Sequence, residues 1–230
     1  MTRRRAVYAC DIGSTRGKEP SFAWVRLDPT VTNNPITAYT DIEKLIERIR
    51  QDADAEHDIA LGFEAPLFIP IPHQAANLSK GRLGEGKYPF SSHIGLAVTT
   101  LAIHQSAWIL MKLRAFVSSR YKFTTDIDAW VSNNSSPILF CWEAFVSGTA
   151  HSKSRSNPHG KDAANAAVYF CQKENNLLSV DLVSAENPFS LIGAAAIWSG
   201  WTNDIAWLHK QVLVIKPTHP LPNEIKVLIR

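Results

Sequence analysis

Three stretches of this chain run through apolar residues and stop on a carboxylate: Ala-Val-Tyr-Ala-Cys-Asp11, Ile-Ala-Leu-Gly-Phe-Glu64 and Ile-Leu-Phe-Cys-Trp-Glu143. Small or turn-forming residues follow each acid. Short, near-continuous apolar runs predict strands covered on both faces, as in a layered α/β sheet. Pro66 cannot continue a central strand, so the second run ends where its acid stands. Ligands bind outside the strand ends of such sheets. If the three strands are neighbours, Asp11, Glu64 and Glu143 share one crevice.

Carboxylates held close together raise one another's pKa and call for a counter-charge. A divalent cation supplies it, and oxygen ligands without cysteine or paired histidine select Mg²⁺ or Mn²⁺ over zinc. Two such ions about 3.5–4 Å apart activate a water and stabilise the leaving oxygen of a phosphodiester. Taken singly, each acid also reads as an ordinary strand-end residue or ion-pair partner.

Residues 5–12 and 21–28 predict two strands joined as a hairpin through the polar connection Ser14 to Pro20, and Ile36 to Tyr39 predicts a third. A helix follows, with Thr40 and Glu43 in a capping-box pattern and Ile42, Leu45, Ile46 and Ile49 on one face. After the strand His57 to Glu64, residues 66–91 carry prolines, glycines, Lys80, Arg82 and Lys87 and predict a long irregular loop. Its cations and aromatics suit phosphate contacts and base stacking, or simply a solvated loop. A helix over roughly 92–118 and the strand Pro137 to Ala144 come next. A polar loop then leads to a helix from about Lys161 to Lys173 and a short strand or extended segment over Leu178 to Val183. A helix Phe189 to Trp201, opened by Pro188, and a terminal strand Gln211 to Lys216 complete the pattern. With no repeat or low-complexity tract, residues 1–230 predict one domain carrying the 66–91 insertion.

A net charge of +3 permits a nucleic-acid partner without requiring one. Arg3-Arg4-Arg5 reads as a solvated leader to the first strand. Cys10, Cys141 and Cys171 are far apart in apolar surroundings, the pattern of reduced buried thiols, and a cytoplasmic location is the expectation. Ile94 to Val117 is interrupted by Thr99, Thr100, His104, Gln105, Lys112 and Arg114. It predicts a buried helix rather than a membrane span, so no membrane partner is expected. His151, Lys153, Arg155, His159 and Lys161 follow Glu143 closely. Such groups can hold a phosphodiester backbone and relay protons, the plainer alternative being a solvated loop.

The order Asp11-Ile-Gly-Ser, hairpin, helix, then Ile-Ala-Leu-Gly-Phe-Glu64-Ala-Pro-Leu and Leu-Phe-Cys-Trp-Glu143-Ala-Phe resembles the ribonuclease-H-like superfamily. More narrowly it is similar to that superfamily's predicted-nuclease branch, a domain of unknown function, and more distantly to RuvC-type Holliday-junction resolvases. The resemblance covers most of the chain. It implies a mixed β-sheet with antiparallel hairpin strands first and parallel strands after, flanked by helices on both faces.

By the same resemblance Asp11 is the first-strand ligand, Glu64 the fourth-strand carboxylate and Glu143 the end of the fifth strand. A last acid is expected on a helix. Asp162 in Gly-Lys-Asp162-Ala-Ala-Asn165 fits, with Asn165 in place of a second acid. Glu186-Asn187-Pro-Phe-Ser190 competes, lying later in the chain where the superfamily's terminal helix falls. A carboxylate binds Mg²⁺ far better than an amide or hydroxyl, which favours Asp162.

The function so implied is a Mg²⁺- or Mn²⁺-dependent nuclease. Asp11, Glu64, Glu143 and Asp162 would hold the metal, and Lys153, Arg155, His159 and Lys161 a nucleic-acid substrate. The departures at Asn165, Asn187 and Ser190 leave open a catalytically degenerate binding or scaffold module. Asp-Ile-Gly-Ser-Thr also resembles the first phosphate loop of actin-like sugar kinases, for which this chain is short and lacks a second phosphate loop.

Overall fold

The structure, a computed structural model, describes residues 3–17, 20–31, 34–87, 89–117, 119–147, 150–152, 157–181 and 183–230. Its first half runs β1 (Arg5–Asp11), β2 (Ala23–Leu27), β3 (Ile36–Tyr39), α1 (Ile42–Asp54), β4 (Asp58–Glu64), β5 (Phe68–Pro70) and α2 (His93–Val117). The second runs β6 (Lys122–Thr124), α3 (Ile127–Val131), β7 (Ile138–Ala144), α4 (Pro158–Lys173), β8 (Pro188–Ser190), α5 (Leu191–Trp198), β9 (Val214–Ile215) and β10 (Val227–Ile229). The main sheet has the order β10-β3-β2-β1-β4-β7-β6, and β9 pairs the far end of β7. β2 is antiparallel to β1 and β3, whereas β1, β4, β7 and β6 are parallel. The result is a mixed α/β sheet, antiparallel hairpin first and parallel strands after, with helices on both faces.

Alternation along the central strands feeds two cores. Tyr8, Cys10, Leu61, Phe63, Leu139 and Cys141 pack with residues of α1, α2 and α5. Val7, Ala9, Ala60, Phe140 and Trp142 pack with α4 and with Trp130 of α3. Each fully buried Leu, Ile or Phe contributes about 1.5–3 kcal/mol relative to exposure, so burial on two sides holds the layers together. Gly62 is required where Trp142 crosses β4, because a Cβ there would stand 2.3 Å from Trp142 Cε2 and Cζ2.

Several elements depart from expectation. α1 is capped by Asp41, not Thr40: the Asp41 carboxylate accepts from the Glu43 and Lys44 amides, at the end of the helix where negative charge is favoured. Residues 66–91 contain β5, which pairs with β8 as a separate two-stranded ribbon. Pro188 therefore sits in a strand, and Ser190 caps α5 through the Gly193 amide. Residues 174–180 form 3₁₀ turns instead of an extended segment. The expected terminal strand shrinks to β9, and β10 pairs β3 beyond it. α2 is buried mainly along its second half, where Ile109, Leu110 and Leu113 enter the core; in its first half Ala102 is buried while Leu96 and Leu101 are exposed. Among the described residues it is the one helix long and apolar enough to cross a membrane.

Candidate carboxylate site

Register places the first two acids. β1 and β4 are parallel neighbours with Asp11 opposite Glu64, so both side chains leave on the face that α4 covers. α4 supplies the third. Asn157, in a left-handed backbone conformation (φ 52°), caps the helix by accepting from the Gly160 amide, and Pro158 occupies its first turn. Ala163, Ala164, Ala166 and Ala167 are buried in the core that α4 shares with β1 and β2, small enough for the helix to lie close. Asp162 thereby reaches the sheet at 1% exposure.

The three carboxylates act on one another. Burial first, then repulsion from Asp11 and Asp162, hold the Glu64 carboxyl well above its ordinary range. Burial pushes Asp11 up to about 6; the hydrogen bond and charge of His159 oppose this, and Asp162 adds to it. Asp162 is likewise raised by burial, with the Ser152 amide and His151 opposing. Glu64 Oε2 is shut from solvent and has no hydrogen-bond partner. An orphaned buried polar atom costs about 1–3 kcal/mol, and more when charged.

Two histidines partly answer this charge. His159 Nδ1 lies 2.8 Å from Asp11 Oδ2, and the Asp11 hydrogen bond raises the His159 pKa despite burial. His151 Nδ1 lies 2.5 Å from Asp162 Oδ2, a contact without hydrogen-bond alignment, while Asp162 Oδ1 accepts from the Ser152 amide at 2.8 Å. A cleft of about 480 Å³ opens beside them, with His151, Lys161 and Asp162 facing Pro220, Leu221 and Pro222.

The chemistry of Asp11, Glu64 and Asp162 suits a hard divalent cation: all donors are carboxylate oxygens, they repel one another, and one oxygen is buried without a partner. Their spacing is looser than their chemistry. Among the described residues no three His, Cys, Asp or Glu side chains are gathered closely enough to ligate one ion as they stand. Asp11 and Asp162 are instead turned to their histidines.

Glu143 does not join them. Its partner on β4 is Phe63, not Glu64, and that one-residue offset sends its side chain through the opposite face, beside Leu139 and Cys141. There Arg82 donates to both its oxygens, Nη1 to Oε2 at 2.7 Å and Nη2 to Oε1 at 2.6 Å, and the Leu67 amide donates at 2.9 Å. Arg82 Nε also donates to Glu85 at 2.8 Å. Burial still holds Glu143 above its ordinary pKa, with Arg82 opposing. Arg82, read from the sequence as a loop cation able to meet phosphate, is 4% exposed and fastens the 66–91 segment to the sheet.

Of the expected substrate contacts, Lys153 and Arg155 lie outside the described residues. His159 faces Asp11, and Lys161 lines the cleft. Asn165 donates to the Ala150 carbonyl at 3.2 Å and the His219 carbonyl at 2.9 Å, a structural tie. Asn187 donates to Ile71 O beside the β5–β8 ribbon, Ser190 is a helix cap, and the charges that bear on Glu64 come from Asp11 and Asp162, not Glu186. One supporting contact went unforeseen: Gln105 Nε2 donates to the Gly13 carbonyl at 2.6 Å, pinning the turn after Asp11 to α2. Its trace in the sequence is a polar side chain interrupting an otherwise apolar helix. No protein-family model, curated protein or solved structure matches this chain.

Proposed function

We propose that the chain is a metal-dependent nuclease of the ribonuclease-H-like kind, with Asp11, Glu64 and Asp162 as ligands of Mg²⁺ or Mn²⁺ and nucleic acid as substrate. One observation carries this: Asp11 and Glu64 stand opposite each other on neighbouring parallel strands beneath Asp162, with an oxygen of Glu64 buried and unpaired. The antiparallel hairpin followed by parallel strands is the arrangement the resemblance implies and supports the same conclusion.

A divalent cation bound there would polarise a phosphodiester oxygen and lower the pKa of an attacking water. The chain's own groups do the rest. Asp11, Glu64 and Asp162 gather carboxylate oxygens in a place largely shielded from water, where a bound cation would stabilise their ionised forms strongly. His159 and Asp11 hold a proton between Nδ1 and Oδ2. Lys161 presents positive charge on the wall of the cleft, the residue type that positions a phosphate.

The test is cleavage of single-stranded, duplex, hybrid and branched oligonucleotides with Mg²⁺ or Mn²⁺, by wild type, Asp11→Asn and Glu64→Gln. Metal-dependent cleavage lost in both variants is expected, and cleavage indifferent to both overturns the proposal. The pairing of two of the three carboxylates with histidines favours a second possibility, a degenerate module that binds nucleic acid without turnover. Saturable binding with no cleavage under any metal would select it.

A further inference from the structure

On the opposite face of the sheet from Asp11, a second cleft of about 480 Å³ lies between the outer strands β2 and β3 and the flank of α1. Its floor is aromatic. Tyr39 stacks on Trp24 with ring centroids 4.6 Å apart and planes 21° apart, and the Trp24 indole is fixed by donating to the Asp41 carbonyl at 2.8 Å. Its wall is cationic, formed by Arg26 from β2 and by Lys44 and Arg48, one turn apart on α1.

The charges there do not cancel. Asp52 accepts from Arg26 Nε at 2.9 Å and Nη2 at 3.1 Å and lies 3.7 Å from Arg48, so one carboxylate answers two guanidinium groups. The Tyr8 hydroxyl donates to the same carboxylate at 2.6 Å, which fixes it and so orients Arg26. Asp52 itself stands behind the cleft, and Glu47, the acid that lines it, is engaged by Arg50 at 2.8 Å and Gln51 at 3.2 Å. Oriented cations beside a flat ring match a ligand with a phosphate at one end and a planar heterocycle at the other. The volume falls within the range of about 300–1,000 Å³ common to small-molecule sites.

We propose that this cleft binds a nucleotide, its phosphate against Arg26, Lys44 and Arg48 and its base on Tyr39. A free mononucleotide and one nucleotide of a bound strand share that chemistry. Isothermal titration calorimetry in low salt with EDTA separates them, using AMP, adenosine, inorganic phosphate and a short oligodeoxyadenylate as probes. AMP is expected to bind saturably, and Lys44→Glu to weaken it about tenfold or more while Arg4→Glu, the same charge change at an exposed site outside the cleft, does not. Tyr39→Leu is expected to erase the preference for AMP over inorganic phosphate. If the strand is the source, the oligonucleotide binds tighter than AMP and suffers the same selective loss in Lys44→Glu. The proposal is overturned if neither AMP nor the oligonucleotide binds saturably, or if both charge changes weaken binding equally. Circular dichroism of each variant confirms that the fold is intact.

Discussion

Replacing Arg82 with methionine should cost more stability than most single substitutions in this chain. Arg82 is 4% exposed and donates to Glu143 at 2.7 and 2.6 Å, to Glu85 at 2.8 Å and to the Phe68 carbonyl at 3.3 Å. Methionine keeps most of the side-chain stem but strands two carboxylates that are themselves nearly inaccessible. Breaking a buried ion pair from one side costs about 3–5 kcal/mol, a large part of a typical stability of about 5–15 kcal/mol. For Glu143, protonation is an escape. Burial already holds Glu143 above its ordinary value of 4.5, and Arg82 opposes that shift. Without Arg82 the folded state keeps a proton that the unfolded chain has released. Stability of the variant is therefore greatest below the unfolded pKa and falls as pH rises through the folded one. Urea unfolding followed by far-ultraviolet circular dichroism should show a loss of about 3–5 kcal/mol at pH 8 and a smaller loss at pH 5.5. Replacing Arg82, Glu85 and Glu143 together with methionine should recover most of it, since apolar groups need no counter-charge. A loss below about 1 kcal/mol at pH 8, or one independent of pH, would show that Arg82 does not neutralise Glu143 in the folded chain.

The carboxylate cluster leads to the opposite outcome. Asp11, raised from 3.8 to about 6, destabilises the metal-free fold progressively as pH rises through that window. Asp11→Asn should thus gain about 1–3 kcal/mol in EDTA at pH 8, read by urea unfolding, and gain nothing at pH 4. Gly62→Ala forces a methyl group against the Trp142 ring and should cost about 1–3 kcal/mol, or more if the indole cannot shift, in the same assay. Cys10 and Cys141 are buried with their thiols pushed up by burial, so both should resist Ellman's reagent at pH 8 until urea unfolds the chain.

What the sequence revealed follows from what each pattern encodes. The apolar runs of β1, β4 and β7 each carry enough residues to declare two-sided burial, and α1 carries a clear apolar face, whereas α4 begins at Pro158, ahead of the expected Lys161. β6, α3 and β10 span 3, 5 and 3 residues, too few for any period to register, and they exist because a neighbouring strand or core accepts them. The same limit explains Glu143. An acid at the end of an apolar run marks a strand end, but which face it takes depends on register against the neighbouring strand, and register is a tertiary property. Phe63, not Glu64, is its partner, and no local pattern announces that. A carboxylate among alanines on a helix can reach a sheet closely, which made Asp162 a candidate in the sequence, whereas its place near Asp11 and Glu64, with Glu186 elsewhere, follows only from the packing of α4 over β1 and β2. Arg82 misled for a related reason: a cation in a loop rich in glycine and proline usually meets solvent, and only the chain's return over β7 buries this one.

The most direct measurement of the central claim is a Mn²⁺ titration, followed by calorimetry, of wild type, Asp11→Asn, Glu64→Gln, Asp162→Asn and Glu143→Gln, each verified as folded. Saturable Mn²⁺ binding is expected in wild type and in Glu143→Gln, and its loss in the other three. Binding that survives neutralisation of Asp11, Glu64 and Asp162, or that disappears in a folded Glu143→Gln protein, would contradict it.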